Sequence, residues 1–402
     1  MNGRSGDYIL FVSNIFLYHG GVSDYTDNFA IQLHKHGKLN AVVTPFVEKE
    51  QRDYPIKKFR IRLYRKSFLL DRRCITSKIA TFFYYIRLYY ISFIRLKKLV
   101  KNKQKTTIIF TEYYVRQFDI IILCARLLKI QYGIVFHGLD LIKAKANDKD
   151  NLFLHFKNNF SKANFIIFNS IATTQLCKKL FPTLTNHSMI MYPGINVPLL
   201  EQKRINYKNN QYRTDKETII FSTVSRLVPR KGIDIAIQIV SHLSKIHPNI
   251  KYYIGGVGSE KEKLKTLVSQ FKAEAYISFL GDITNEVKYQ LLQESDIFIL
   301  PNHSAGNSDF EGFGISFIEA SLFGNVIIGG NHGGAVEAII EGKTGFLFDF
   351  DKPDSLQKSV DLLKNCIENR ELLHTIKQNG IDFVKSNYDW NILINRFLEF
   401  VN

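Results

Sequence analysis

Short runs of apolar residues recur along the chain, separated by longer stretches whose apolar positions repeat every three or four residues. The short runs lie at residues 8–12, 40–44, 107–110, 134–137, 165–168, 218–223, 251–254, 275–279, 297–300, 326–329 and 345–348. They are continuous rather than alternating, which predicts strands buried on both faces. Between them, residues 24–36, 119–128, 232–245, 258–271 and 285–294 carry the helical period, and 390–401 carries it again at the end. Strands alternating with helices predict parallel sheets covered on both sides. One such series fills each half of the chain. The expected fold is therefore α/β, with two Rossmann-like, doubly wound parallel-sheet domains at 1–200 and 201–385. The link is expected near 193–210, where Pro193, Gly194 and Pro198 precede a polar, charged run. No repeat and no low-complexity tract breaks the pattern.

A length of 402 residues agrees with two domains. Charge separates the halves: residues 1–200 hold 31 Lys and Arg against 12 Asp and Glu, while 201–402 hold 23 against 25. The first half is expected to meet something anionic. Cys74, Cys124, Cys177 and Cys366 are scattered, with no Cys-x-x-Cys pair, which predicts buried free thiols in a reducing compartment. The apolar run at 8–12 follows Arg4 but is broken by Ser13 and Asn14, lacks an Ala-x-Ala pattern and leads into Gly20-Gly21; a first strand fits it better than a signal peptide. No stretch of 18 uncharged apolar residues exists, so no spanning helix is expected.

Candidate chemistry is concentrated between residues 309 and 321. Glu311 stands beside Gly312 and Gly314, which permit a tight turn and a close backbone approach to a ligand. Glu319 lies about two turns into the helix predicted over 315–323. The N–H groups at that helix start suit phosphate, and the carboxylates suit sugar hydroxyls. A phosphate seat flanked by two carboxylates is what a nucleotide sugar requires. Arg226 and Lys231 follow the strand at 218–223 and precede another helix; two cations there suit a diphosphate. Arg230 is expected to face solvent. His137 ends a strand, and Asp140 two residues beyond Gly138 is either functional or ordinary turn chemistry. Gly20 and Gly21 follow the first strand. Gly255, Gly256 and Gly258 either line a base or merely turn the chain.

Residues 57–105 hold 16 Lys and Arg, one acid (Asp71) and 10 aromatics. Their part 77–103 has helical character, with Phe82, Phe83, Tyr85, Ile86, Tyr89, Tyr90, Phe93 and Leu96, and with Arg87 and Arg95 preventing a span. A basic helix with aromatics suits an anionic membrane interface; the plainer reading is a core helix with a basic outer face. Nucleic acid is not expected as a partner.

The chain resembles retaining glycosyltransferases of the GT-B fold, of the large family 4 type. The resemblance rests on His19-Gly20-Gly21-Val22, Phe136-His137-Gly138-Leu139-Asp140, Ser225-Arg226-Leu227-Val228-Pro229-Arg230-Lys231-Gly232, Gly255-Gly256-Val257-Gly258, Phe279-Leu280-Gly281, Ser295-Asp296-Ile297-Phe298 and Glu311-x7-Glu319. It implies two domains facing an interdomain cleft, an acceptor-binding first domain, a nucleotide-sugar-binding second domain and a last segment, 386–402, crossing back to the first. It implies catalytic roles for His137, Glu311, Arg226 and Lys231. Donor contacts are implied for Gly20, Gly21, Gly256, Phe313 and Gly314, and Glu319 holds the ribose.

The implied activity is transfer of a hexosyl or N-acetylhexosaminyl unit from a UDP- or GDP-sugar to a hydroxyl of a glycan, with lipid-linked acceptors of cell-surface polysaccharide or lipopolysaccharide synthesis as the expected class. Retention of anomeric configuration is implied with it. No metal and no other cofactor is expected, since no Asp-x-Asp run exists and Arg226 and Lys231 can neutralise the diphosphate. The expected location is cytoplasmic, peripheral to the inner face of the cell membrane. The rivals are a nucleotide-sugar epimerase of the same fold and a non-catalytic glycan- or nucleic-acid-binding protein. Where the family often has Asn-Gly-Val-Asp, this chain has Pro193-Gly194-Ile195-Asn196, a short amide replacing the acid. The polar loop 302–309 is expected to help select the donor sugar.

Overall fold

Five of the apolar runs, with two short strands beside them, pair as one all-parallel sheet, and the other six pair as another. A computed structural model describes residues 7–12, 20–44, 54–58, 75–112, 116–147, 159–184, 187–206, 211–213, 215, 217–304 and 310–402. The first sheet holds β1 (Asp7–Phe11), β2 (Leu39–Thr44), β3 (Ile56–Lys58), β4 (Thr106–Phe110), β5 (Gln131–Phe136), β6 (Phe165–Phe168) and β7 (Ser188–Ile190). Its order is β3-β2-β1-β4-β5-β6-β7. The second holds β8 (Ile219–Val224), β9 (Ile250–Gly255), β10 (Ile277–Gly281), β11 (Ile297–Leu300), β12 (Val326–Gly330) and β13 (Gly345–Phe348), in the order β10-β9-β8-β11-β12-β13. The eleven expected strands are present. β3 and β7 escape the apolar pattern because they are three-residue edge strands, Ile-Lys-Lys and Ser-Met-Ile, with little to bury.

The register follows from double-sided burial. Ile9 pairs with Ala41 on one side and Ile108 on the other, and all three are fully buried. In the first unit Phe11, Phe110, Phe118, Phe136 and Phe160 share one core. Each such ring stabilises the fold by roughly 1.5–3 kcal/mol through its removal from water. In the second unit the helix Ile233–Ile246 buries Ile233, Ile237, Ile239, Val240 and Leu243 with Ile250, Tyr252 and Ile254 of β9.

Two compact units divide the chain. The first comprises Met1–Asn169, Thr173–Met191 and Ile394–Asn402; the second comprises Ser170–Ala172 and Tyr192–Leu393. The division falls at Met191 and Tyr192, and much of the expected link is the helix Val197–Asn206, capped by the Asn196 side chain accepting from Leu199 N. The last helix, Trp390–Val401, contributes to both units. Trp390 is buried in the second, against Gly194. Phe397 meets Tyr8, Phe29 and Phe165 in the first. Cys124, Cys177 and Cys366 are buried free thiols; Cys74 lies outside the described residues.

Candidate functional site

In the second sheet the chain moves outward from β8 to β9 and β10, then returns to the other side of β8 as β11. The carboxyl ends of β8 and β11 therefore flank a topological switch point, where doubly wound sheets bind ligands. The segment after β8 makes a single 3-10 turn, Pro229–Lys231. Gly232 closes it with φ 64°, and a Cβ there would stand 2.0 Å from the carbonyl oxygen of Pro301. Only glycine lets this turn rest against the segment after β11. His303 N donates to the carbonyl oxygen of Arg230 at 3.1 Å, fixing the same junction.

The junction delivers two cations to Glu311. Lys231 Nζ lies 2.6 Å from Glu311 Oε2, and Arg230 Nη1 donates to the same oxygen. All three residues are more than nine-tenths buried. Arg230 is thus not a solvent-facing residue, contrary to the reading of the sequence. Periodicity cannot show that both of two adjacent cations turn inward. Burial pushes the Glu311 carboxyl up, but Lys231 and Arg230 outweigh it and bring the group down to about 2. Burial also pushes the Lys231 ammonium down, and repulsion from Arg230 and Arg226 adds to it against the attraction of Glu311. Two cations thus share one carboxylate oxygen. Arg226 is exposed nearby, and among the described residues its guanidinium has no hydrogen-bond partner.

A pair of glycines after β12 holds the backbone of this acid. Gly334 N donates to Glu311 O at 2.8 Å. A Cβ on Gly333 would stand 2.4 Å from Glu311 O, and one on Gly334 2.1 Å from Gly312 O. Sequence reasoning missed Gly333 and Gly334; two glycines just after a strand end were the available signal. Beyond Glu311, Phe313 is buried between Tyr192 and Tyr388. Gly314, at φ 93°, starts the helix Ile315–Leu322. Among the described residues the N–H groups of Phe313 and Gly314 have no acceptor, leaving them open to an anion or a hydroxyl.

Glu319 sits on that helix, nine-tenths buried. Lys288 Nζ donates to its Oε1 at 2.7 Å, and the Tyr289 hydroxyl donates to the same oxygen at 3.4 Å. The Tyr289 ring stacks on Phe323, 5.5 Å between centroids. Lys288 and Tyr289 were also missed, because they come from a separate helix, Asn285–Glu294. Gly256 and Gly258 serve close packing: Cβ atoms there would stand 1.9 Å from Ser225 O and 2.1 Å from Leu227 O. They allow the chain after β9 to bond the chain after β8, through Leu227 N to Val257 O at 2.9 Å. In loop 302–309, residues 305–309 lie outside the described residues. Asn302 is buried and bonds both Gly330 N and His332 O, tying the loop's start to β12.

The first unit places His137 just after β5. Its Nε2 lies 2.8 Å from the carbonyl oxygen of Thr111, just after β4, and its ring meets Tyr25 edge-on at 5.0 Å. Tyr25 belongs to the helix Gly21–Lys35, which Gly20 precedes. Both Gly20 and Gly21 are exposed; His19 lies outside the described residues. Asp140 is buried and accepts from the backbone N–H groups of His137, Gly138 and Leu141, the last two at 2.8 and 3.0 Å. Burial raises its pKa despite those donors. This is turn chemistry holding His137, so Asp140 fixes the neighbour rather than presenting its own carboxylate.

Among the described residues no helix is long and apolar enough to cross a membrane, and no group of three or more His, Cys, Asp or Glu stands together. The helix Ile75–Leu99 buries Leu88, Ser92 and Leu96 and packs Tyr89 and Phe93 on the core. Its outer face exposes Ile86, Arg87, Tyr90, Arg95, Lys97 and Lys98. Tyr89 and Phe93 are thus turned to the core and Tyr90 to solvent. Residues 59–74 of the basic stretch lie outside the described residues.

The switch-point residues fall inside residues 205–383, which match the family model of the glycosyl transferases group 1. The second unit belongs to the glycosyl transferases group 1 family. Among curated relatives, the chain is 28% identical over 179 residues to the GDP-mannose-dependent alpha-(1-6)-phosphatidylinositol monomannoside mannosyltransferase of Mycobacterium tuberculosis, covering 44% of this chain and 46% of that one. It is 24% identical over 269 residues to an uncharacterized glycosyltransferase of Methanocaldococcus jannaschii, covering 65% and 66%. The matched stretches thus span less than two thirds of these relatives. Among solved structures, Anabaena HepE in complex with UDP and glucose superposes with a TM-score of 0.69 at 17% identity, covering 98% of this chain and 99% of that one. A glycosyltransferase from Rickettsia africae gives 0.73 at 16% identity, covering 98% and 97%. The fold is GT-B, with two Rossmann-like parallel-sheet units.

Proposed function

We propose that this group 1 protein transfers a sugar from a nucleoside diphosphate sugar to a hydroxyl of a glycan acceptor. The observation that carries the reading is the buried group Arg230, Lys231 and Glu311 at the β8–β11 switch point, with Arg226 exposed beside it. A diphosphate suits these cations, and gains negative charge as the bond to the sugar breaks. Arg226 offers a planar fork and Lys231 a point charge for it. The open N–H groups of Phe313 and Gly314 suit sugar or phosphate oxygens, and Glu319 suits the ribose hydroxyls. Neutralisation by these cations supports transfer without a metal or other cofactor. Relatives that bind UDP or use GDP-mannose support a UDP- or GDP-sugar donor, with a hexosyl or N-acetylhexosaminyl unit transferred.

Retention of the anomeric configuration, with His137, Gly20 and Gly21 facing the donor, is part of this proposal. So is a lipid-linked acceptor in polysaccharide or lipopolysaccharide synthesis. The exposed basic face of Ile75–Leu99 supports a peripheral place on an anionic inner membrane surface. The test is a screen of radiolabelled UDP- and GDP-sugars against a membrane lipid extract. Transfer of label into a lipid-soluble glycan is the expected result; no transfer and no donor hydrolysis from any of them overturns the reading.

A further inference from the structure

Glu311 Oε2 receives both Lys231 Nζ, at 2.6 Å, and Arg230 Nη1. If Lys231 is to bind a diphosphate, it has two claimants, the phosphate and the carboxylate. A buried carboxylate stripped of its cation is costly, so a lysine that was its sole partner would be reluctant to leave. Glu311 is nine-tenths buried, and its backbone is pinned by Gly334 N, so it cannot follow the lysine or turn out to water. Arg230 is equally buried, and its own backbone is pinned by His303 N.

We infer that Arg230 is a positioning residue that keeps Glu311 neutralised while Lys231 passes from the carboxylate to the donor diphosphate. The inference rests on the proposed donor reading and adds a role for a residue which that reading leaves idle. Before the donor arrives, both cations rest on the Glu311 carboxylate. After it, Arg230 holds Glu311 alone and Lys231 holds phosphate. Each buried charge has a partner in both states. The turn Pro229–Lys231 makes this possible because it places adjacent residues on one oxygen, and Gly232 lets that turn sit against the segment after β11.

The experiment is a double-mutant cycle read by calorimetric affinity for UDP and GDP, probes that lack the sugar. Each variant is measured where Trp390 fluorescence reports the folded state. Arg230→Gln is expected to weaken the better nucleotide roughly tenfold, the scale of one lost charge-assisted bond. Arg230→Lys, which keeps the cation, is expected to stay within about threefold of wild type on the same scale. In a Glu311→Gln background no anion needs a substitute partner, so adding Arg230→Gln is expected to change affinity less than about twofold. An equal loss in both backgrounds makes Arg230 a direct phosphate contact and overturns the inference. Wild-type affinity in Arg230→Gln overturns it as well. Should Arg230→Gln not fold, a tenfold loss in Arg230→Lys overturns it, since a retained cation should suffice. Wild-type protein that binds neither UDP nor GDP refutes the donor reading itself, and this inference with it.

Discussion

Glu311→Gln is expected to destabilise the second unit in a pH-dependent way, and the size follows from the geometry. The Glu311 carboxyl falls from an ordinary 4.5 to about 2, after burial has been outweighed by Lys231 and Arg230. A group whose folded pKa lies below its unfolded one stabilises the fold above the unfolded value, and loses that contribution as pH falls toward the folded value. The shift corresponds to about 3 kcal/mol at neutral pH. About 2 kcal/mol of it is gone by pH 3. Removing one partner of a buried ionic group costs about 3–5 kcal/mol by independent measures, so the two scales agree. For a unit of roughly 200 residues each kcal/mol moves the melting midpoint by about 2–4 °C. Glu311→Gln is therefore expected to melt about 6–12 °C below wild type at pH 7, with the gap closing to about a third of that at pH 3. The protein has one tryptophan, Trp390, buried in the second unit, so its fluorescence reads the relevant transition. Groups outside this cluster titrate in both proteins alike and cancel in the difference. A gap that stays constant between pH 7 and pH 3 refutes the reasoning, because it would mean that Glu311 stabilises by shape and not by charge.

Lys231→Ala is expected to lower donor hydrolysis and transfer at least tenfold, through loss of charge-assisted bonds worth roughly 1.5–3 kcal/mol, while circular dichroism stays unchanged; full turnover would remove the donor site from the switch point. Activity is expected to survive EDTA, and NMR of the product to show the donor's anomeric configuration; loss of activity restored by a divalent ion, or an inverted linkage, contradicts the proposed mechanism. The protein is expected to sediment with anionic but not neutral liposomes, and charge reversal at Arg87, Arg95, Lys97 and Lys98 to release it, each cation contributing on the order of 1 kcal/mol until salt screens it. Indifference of the wild type to anionic liposomes at low salt would reduce the outer face of Ile75–Leu99 to a solvated surface.

The sequence by itself determined the class of fold, because a strand buried on both faces of a sheet must be largely apolar rather than alternating, and that pattern stands in a single sequence. Ile219–Val224, Ile297–Leu300 and Val326–Gly330 are legible for this reason. It also singled out Lys231 and Glu311, charged residues beside glycines near strand ends, and Glu319, on the helix that follows. It could not show β3 or β7, whose three residues bury too little to leave a pattern. Nor could it show which charges meet. Arg230 and Lys231 are some eighty residues from Glu311, and Lys288 is some thirty from Glu319. Those pairings exist because Gly232 can sit against Pro301 and because Gly333 and Gly334 can sit against Glu311 and Gly312. Local propensity acts over a few residues, whereas a buried ion pair is decided by which backbones approach within about 3 Å of one another, and only the tertiary structure fixes that.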